Sequence, residues 1–187
     1  MSDKDARGSG IVVSAWLALS CLLTWFAVHN LSSPGLYYDE AVFAGMAKDF
    51  VSGTVHGQHM PGTQTVRLFG RPFPLCVQWY LGAVKTWTIV PGFFIFGPSI
   101  KVLRLTALFW CLVGLLFFML WTRRLMGLRA SLIAALMLGT DPSFFLISIM
   151  DWGSVVPSFM CRFCGSYLFV LWWRENLNCC RCRISNG

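Results

Sequence analysis

From Gly10 to Leu31 the chain reads GIVVSAWLALSCLLTWFAVHNL, 22 residues without a formal charge. As a helix, such a run is long enough to cross the roughly 30 Å hydrocarbon core of a bilayer. It is longer than the apolar part of a signal peptide and ends in no small-residue cleavage pattern, so it predicts a retained span over 11–30. Three further apolar stretches follow. LTALFWCLVGLLFFMLW (105–121) is unbroken, SLIAALMLGTDPSFFLISIM (131–150) is interrupted by Gly-Thr-Asp-Pro, and SVVPSFMCRFCGSYLFVLWW (154–173) carries one charge, Arg162. They predict spans over 102–121, 130–149 and 154–173, with Asp141-Pro142 marking a kink or a helix end. PLCVQWYLGAVKTWTIVPGFFIFG (74–97) differs, with Lys85 at its centre between two tryptophans and Pro91-Gly92 near its end. That mixture is typical of a segment at the membrane interface.

Between the first span and this segment the pattern is polar. After Pro34-Gly35, DEAVFAGMAKDF suggests a short amphipathic helix with Asp39 and Glu40 in its first turn. SGTVHGQHMPGTQ is rich in turn formers and predicts a loop. The expected fold class is therefore all-α: a multi-pass membrane protein of about four transmembrane helices, with interfacial helices in a first outer loop over 31–101. Residues 1–10 form a cytoplasmic N-terminus, 11–175 the membrane module, and 176–187 a Cys-rich cytoplasmic tail.

Positive charge arbitrates the topology, because Lys and Arg concentrate on the cytoplasmic side. Lys4 and Arg7 put the N-terminus inside and 31–73 outside. If 74–97 crossed, Arg123, Arg124 and Arg129 would face outward. If it stays at the outer interface, those arginines and Arg174, Arg181 and Arg183 all lie inside. The second arrangement satisfies every basic cluster. It also puts Asp39 and Asp151 on the same outer side.

Composition narrows the class further. Of 187 residues 56% are hydrophobic and 12% charged, with sixteen Phe and nine Trp, against about 25% charged in an ordinary globular domain. This excludes a disordered chain, a soluble enzyme domain and a nucleic-acid module as leading readings. The net charge of +7 is scattered through short loops, as suits contact with anionic lipid rather than a DNA-binding face. Cys21, Cys111, Cys161 and Cys164 lie within apolar runs, where free cysteine behaves as a small hydrophobe. The Cys161-x-x-Cys164 pair has no second pair at zinc-site spacing; with the tail thiols Cys179, Cys180 and Cys182 it could bind zinc, or some could be palmitoylated at the cytoplasmic face, but inert thiols are the favoured reading.

Few residues are left for chemistry. Asp39 and Glu40 are either acids decorating a helix N-terminus or a base and ligand at the membrane face, where partial desolvation raises a carboxylate toward the working range. Asp151, between two apolar runs, is either a solvated turn residue or a functional carboxylate. His56 and His59, with Glu40 upstream, could hold a divalent metal ion, although solvated loop histidines have the same appearance. Arg67, Arg71 and Lys85 could hold a lipid phosphate or merely snorkel to headgroups. Arg162 could pair with an acidic group or a phosphate near the outer face.

YYDEAVFAGMAKDF after the first span, GRPFPLCVQWYLGAVKTW, FGPSIKVLRLTALF followed by TRRLMGLRASLIAALMLGTDPSFF, and MDWG occur in an order that resembles the polyprenyl-phosphate-dependent membrane glycosyltransferases. These are the protein O-mannosyltransferase and aminoarabinose-transferase type of the C-type glycosyltransferase superfamily, and the likeness covers roughly residues 12–175. The resemblance implies a multi-pass enzyme of the bacterial inner membrane. It would move a sugar from a polyprenyl-phosphate donor to a lipid, glycan or protein acceptor on the non-cytoplasmic face, without nucleic acid. The family's essential aspartate falls on Asp39, its acidic neighbour on Glu40 and a second acidic position on Asp151. A basic-Pro stretch falls on Arg71-Pro72, where relatives of the aminoarabinose-transferase kind usually show lysine. Relatives are several hundred residues long, and NLNCCRCRISNG does not resemble their continuation, which suggests a truncated product. A non-catalytic membrane protein or an inactive remnant is the rival expectation.

Overall fold

The computed structural model describes residues 3–31, 35–55, 61–150 and 154–185. It is mostly helical, and its three longest apolar helices are sufficient to cross a membrane. These are Gly8–Asn30 within α1 (Asp3–Asn30), all of α4 (Ile100–Met126), and Val155–Asn176 within α7 (Val155–Ser185). At 1.5 Å per residue even the shortest of them reaches roughly 33 Å. The fourth expected span is a bent pair, α5 (Leu128–Gly139) and α6 (Pro142–Met150), meeting at 67°. The bend has a local cause. Pro142 lacks a donor and starts a new helix, and Asp141 caps it by accepting from the backbone N–H of Ser143 (2.6 Å) and Phe144 (3.1 Å).

The helix α4 is the hub. Its Cys111, Leu115 and Met119 are buried among Val12 and Leu23 of α1, Ala135 of α5, Phe144 of α6 and Val156 of α7. Side-chain bonds fix the directions of the helices. The Arg123 guanidinium donates to Ser9 Oγ at 2.7 Å, while Arg104 donates to the Leu31 carbonyl at 2.8 Å, so α1 and α4 run antiparallel. Ser131 at the start of α5 donates to the Met119 carbonyl at 2.8 Å, and Arg174 of α7 donates to the Arg124 carbonyl at 2.6 Å. The arginines 123, 124 and 174 thus share one end of the bundle, with Arg129 in the first turn of α5. Asp39 and Glu40 lie at the other end. Among the described residues, the helices between α1 and α4 are 15 and 13 residues long, too short to cross.

Above that other end sits a second layer. α2 (Tyr38–Ser52) and α3 (Val84–Phe96) enclose Phe43, Met46, Ala47, Val77, Ile89 and Phe93 together with Leu103 of α4. The expected all-α class needs one correction here, because the layer also contains a three-stranded antiparallel sheet, β1 (Gln64–Leu68), β2 (Arg71–Gln78) and β3 (Leu81–Gly82), in that order. Strand β2 tolerates Pro72 and Pro74 because that part of it pairs only with β1, opposite Arg67 and Thr65; β3 pairs only with Cys76 and Gln78. The 74–97 segment is therefore half strand and half helix. Pro91 lies inside α3 without ending it, and Gly92 allows α3 to cross α4 closely, since a Cβ there would meet Thr106 Oγ1 at 2.4 Å.

Candidate functional site

The two neighbouring carboxylates of α2 have different surroundings. Glu40, at the third helical position, accepts from the Tyr37 backbone N–H at 2.9 Å and so closes the first turn of the helix. It also receives Arg104 in a two-point fork, Nε to Oε1 and Nη2 to Oε2, both at 3.0 Å. The Arg104 guanidinium has two further acceptors, the carbonyls of Leu31 and Gly35 at 2.8 and 3.0 Å. Both side chains are 0% exposed. One guanidinium on α4 thereby ties together the end of α1, the turn that follows and the start of α2. Removing one member of such a pair leaves an uncompensated buried charge, at a cost of about 3–5 kcal/mol.

Asp39, one residue earlier, is half-buried. Among the described residues its carboxylate makes no hydrogen bond or ion pair. It stands on a helix turn anchored by its neighbour, at the end of the spans opposite Arg123, Arg124 and Arg174. A carboxylate in that state is available as a base.

The other expected site residues are distributed as follows. Asp151, His56 and His59 lie outside the described residues. The flanking chain of the first, Ile149, packs on Ala27 and Leu108, toward the same end of α1 and α4 as Glu40. Glu40 does not fit a metal ligand, because the arginine fork and the Tyr37 N–H take up both of its oxygens. Among the described residues, no cluster of three His, Cys, Asp or Glu could hold a metal ion. Arg71 caps the C-terminal end of α2 by donating to the carbonyls of Phe50 and Val51. Lys85 is 1% exposed, with its ammonium 4.5 Å from the centre of the Phe43 ring, inside the layer rather than at a headgroup. Arg67, on β1, is exposed. Arg162 is exposed on α7 and, among the described residues, has no partner.

Sequence reasoning missed Arg104. Its signal was present: a cation at the head of the unbroken apolar run 105–121, where burial demands a partner. An apolar groove of about 510 Å³ adds a second feature. It lies between α3 and α4, lined among others by Thr88, Gly92, Ile95, Thr106, Phe109 and Trp110.

Comparison of the chain with protein-family models, curated proteins and solved structures gives no match.

Proposed function

We propose that this membrane protein carries the catalytic membrane module of a polyprenyl-phosphate-dependent glycosyltransferase, with Asp39 as the base. The observation that carries the reading is the unequal pair: Glu40 is committed to Arg104, and Asp39 is held beside it with its carboxylate unengaged among the described residues. Asp39 accepts the proton of the acceptor hydroxyl as its oxygen attacks the anomeric carbon of the donor sugar. The carbon–oxygen bond to the phosphate breaks, and the lipid phosphate leaves already ionised, so no general acid is required. A single displacement inverts the anomeric configuration.

Positive charge is needed where the phosphate departs. Of the three cations expected for that role, Arg67 is the exposed one, while Arg71 and Lys85 serve the packing of the outer layer. The α3–α4 groove has the apolar lining that an isoprenoid chain requires.

The test is transfer from a panel of radiolabelled polyprenyl-phosphate sugars by the full chain in proteoliposomes. The expected result is turnover that falls by about 10²-fold or more in Asp39→Asn, in the range of general-base catalysis. A folded, correctly oriented protein that transfers none of them overturns the reading and leaves a non-catalytic membrane protein.

A further inference from the structure

The turn between β1 and β2 carries a conflict between sequence and conformation. Its two central residues are Phe69 and Gly70, with φ of 52° and 77°. A two-residue hairpin turn of this hand calls for Asn, Asp or Gly in the first position, because a side chain with a Cβ is disfavoured at positive φ. Phe69 is the only non-glycine residue with positive φ among those described, and it is 92% exposed. Val66 and Leu68 beside it on β1 are exposed as well. A bulky residue kept at positive φ, where glycine or asparagine would relieve the strain, points to a role for the side chain.

Side-chain contacts connect this hairpin to a spanning helix. Trp110 lies well within the spanning helix α4, and its indole donates to the Thr88 carbonyl of α3 at 3.2 Å. The preceding residue, Trp87, donates to the Pro74 carbonyl of β2 at 2.7 Å and stacks on Phe73 with centroids 5.6 Å apart. Phe73 pairs across the ladder with Val66. Four contacts thus lead from the span to the hairpin, along a helix whose Phe94, Ile95 and Phe96 are themselves exposed. The sheet is thereby tied to a helix long and apolar enough to cross a membrane. At its other end the β2–β3 turn is Trp79-Tyr80, 78% and 83% exposed, the residue types that collect at membrane interfaces. Arg67, two residues from the tip, adds an exposed cation suited to lipid phosphate.

We propose that the Phe69-Gly70 hairpin tip is a lipid anchor: Phe69 inserts between the headgroups of the outer leaflet and holds the sheet against the membrane. The occupant is the bilayer because the hairpin is tied by these contacts to a spanning helix, and its exposed apolar side chains stand beside an exposed cation and interfacial aromatics.

The test uses the full chain reconstituted in phosphatidylcholine–phosphatidylglycerol vesicles. Photoreactive benzoylphenylalanine replaces Phe69 in one sample and the span residue Phe109 in another, and adducts are read by mass spectrometry. Lipid adducts at position 69 in a yield comparable to position 109 are expected. Lipid adducts at 109 with none at 69, or protein–protein adducts at 69, overturn the proposal. A second measurement is trypsin cleavage after Arg67, in vesicles with the hairpin facing the protease; the Arg71-Pro72 bond resists the enzyme. Phe69→Asn suits the turn and keeps the hairpin, and it is expected to speed this cleavage severalfold in vesicles but not in detergent. An unchanged rate in vesicles overturns the anchor.

Discussion

The bundle and the layer above it bury polar groups of different kinds. Inside the bundle the buried polar side chains are hydroxyls: Ser20, Thr122, Ser131 and Ser148. Ser131 and Ser148 bond to backbone carbonyls of α4 and α6, whereas Ser20 and Thr122 have no partner among the described residues. In the outer layer and at its junction with α4 the buried polar groups include ions: Glu40, Asp49, Lys85 and Arg104. Apolar length is enough to define a helix that crosses lipid, and a hydroxyl can be satisfied by its own helix. The layer has an apolar core of its own, around Phe43, Met46, Ile89 and Phe93, and adds ions at set positions to it.

The sharpest way to break this comparison is to remove the ion that joins the two regions. Arg104→Ala leaves Glu40 buried and unpaired and is expected to destabilise the protein by about 3–5 kcal/mol, read as lost thermal stability in detergent. The double variant Glu40→Leu with Arg104→Met should be less destabilised than the single one, because two apolar side chains leave no orphan charge. Equal losses would mean that the damage comes from the bonds Arg104 makes, to Glu40 and to the Leu31 and Gly35 carbonyls, and not from the orphaned charge.

Packing inside the bundle gives the next effect. Gly114 lets α4 approach α7, and a Cβ there would lie 2.5 Å from Phe159. Gly114→Ala should cost roughly 1–3 kcal/mol, with Phe159→Leu in the same chain restoring part of it.

At the seam between the regions, Gly92→Ala drives a methyl against Thr106 Oγ1 and is expected to cost about 1–2 kcal/mol. Adding Thr106→Ala should recover most of that loss, as measured by thermal melting of the single and double variants.

The smallest effect is at the hairpin. In detergent, away from a bilayer, Phe69→Asn should leave stability unchanged or raise it by a few tenths of a kcal/mol, because Asn tolerates the left-handed conformation that Phe resists. A clear loss in detergent would show that Phe69 packs within the protein after all.

The two regions also differ in how far the sequence foretold them. The spans follow from uninterrupted apolar runs, and Asp141-Pro142 announced the bend because proline and a short acid are themselves the physical cause of a helix restart. The three-stranded sheet was hidden by its own chemistry. Its first turn is Phe-Gly where Asn-Gly would have signalled a hairpin, and Pro72 and Pro74 argue against a strand unless one side of it is already known to be unpaired. Asp39 and Glu40 stood out as a pair of acids, but nothing local separates their roles. The difference arises from Arg104, which lies 64 residues beyond Glu40 and reaches it only through the packing of α4 against the outer layer. Lys85 shows the same limit: a lysine between tryptophans suits a headgroup as well as an aromatic interior, and only the fold distinguishes them.

The central claim is that the adjacent carboxylates do separate work, Glu40 holding the fold and Asp39 left available. It is tested most directly by thermal unfolding of Asp39→Asn and Glu40→Gln in the same detergent. The account predicts that Asp39→Asn melts within about 1 °C of the parent, while Glu40→Gln, which leaves Arg104 without its countercharge, melts lower by roughly 5 °C or more. Equal losses in the two variants, or a loss confined to Asp39→Asn, would contradict it.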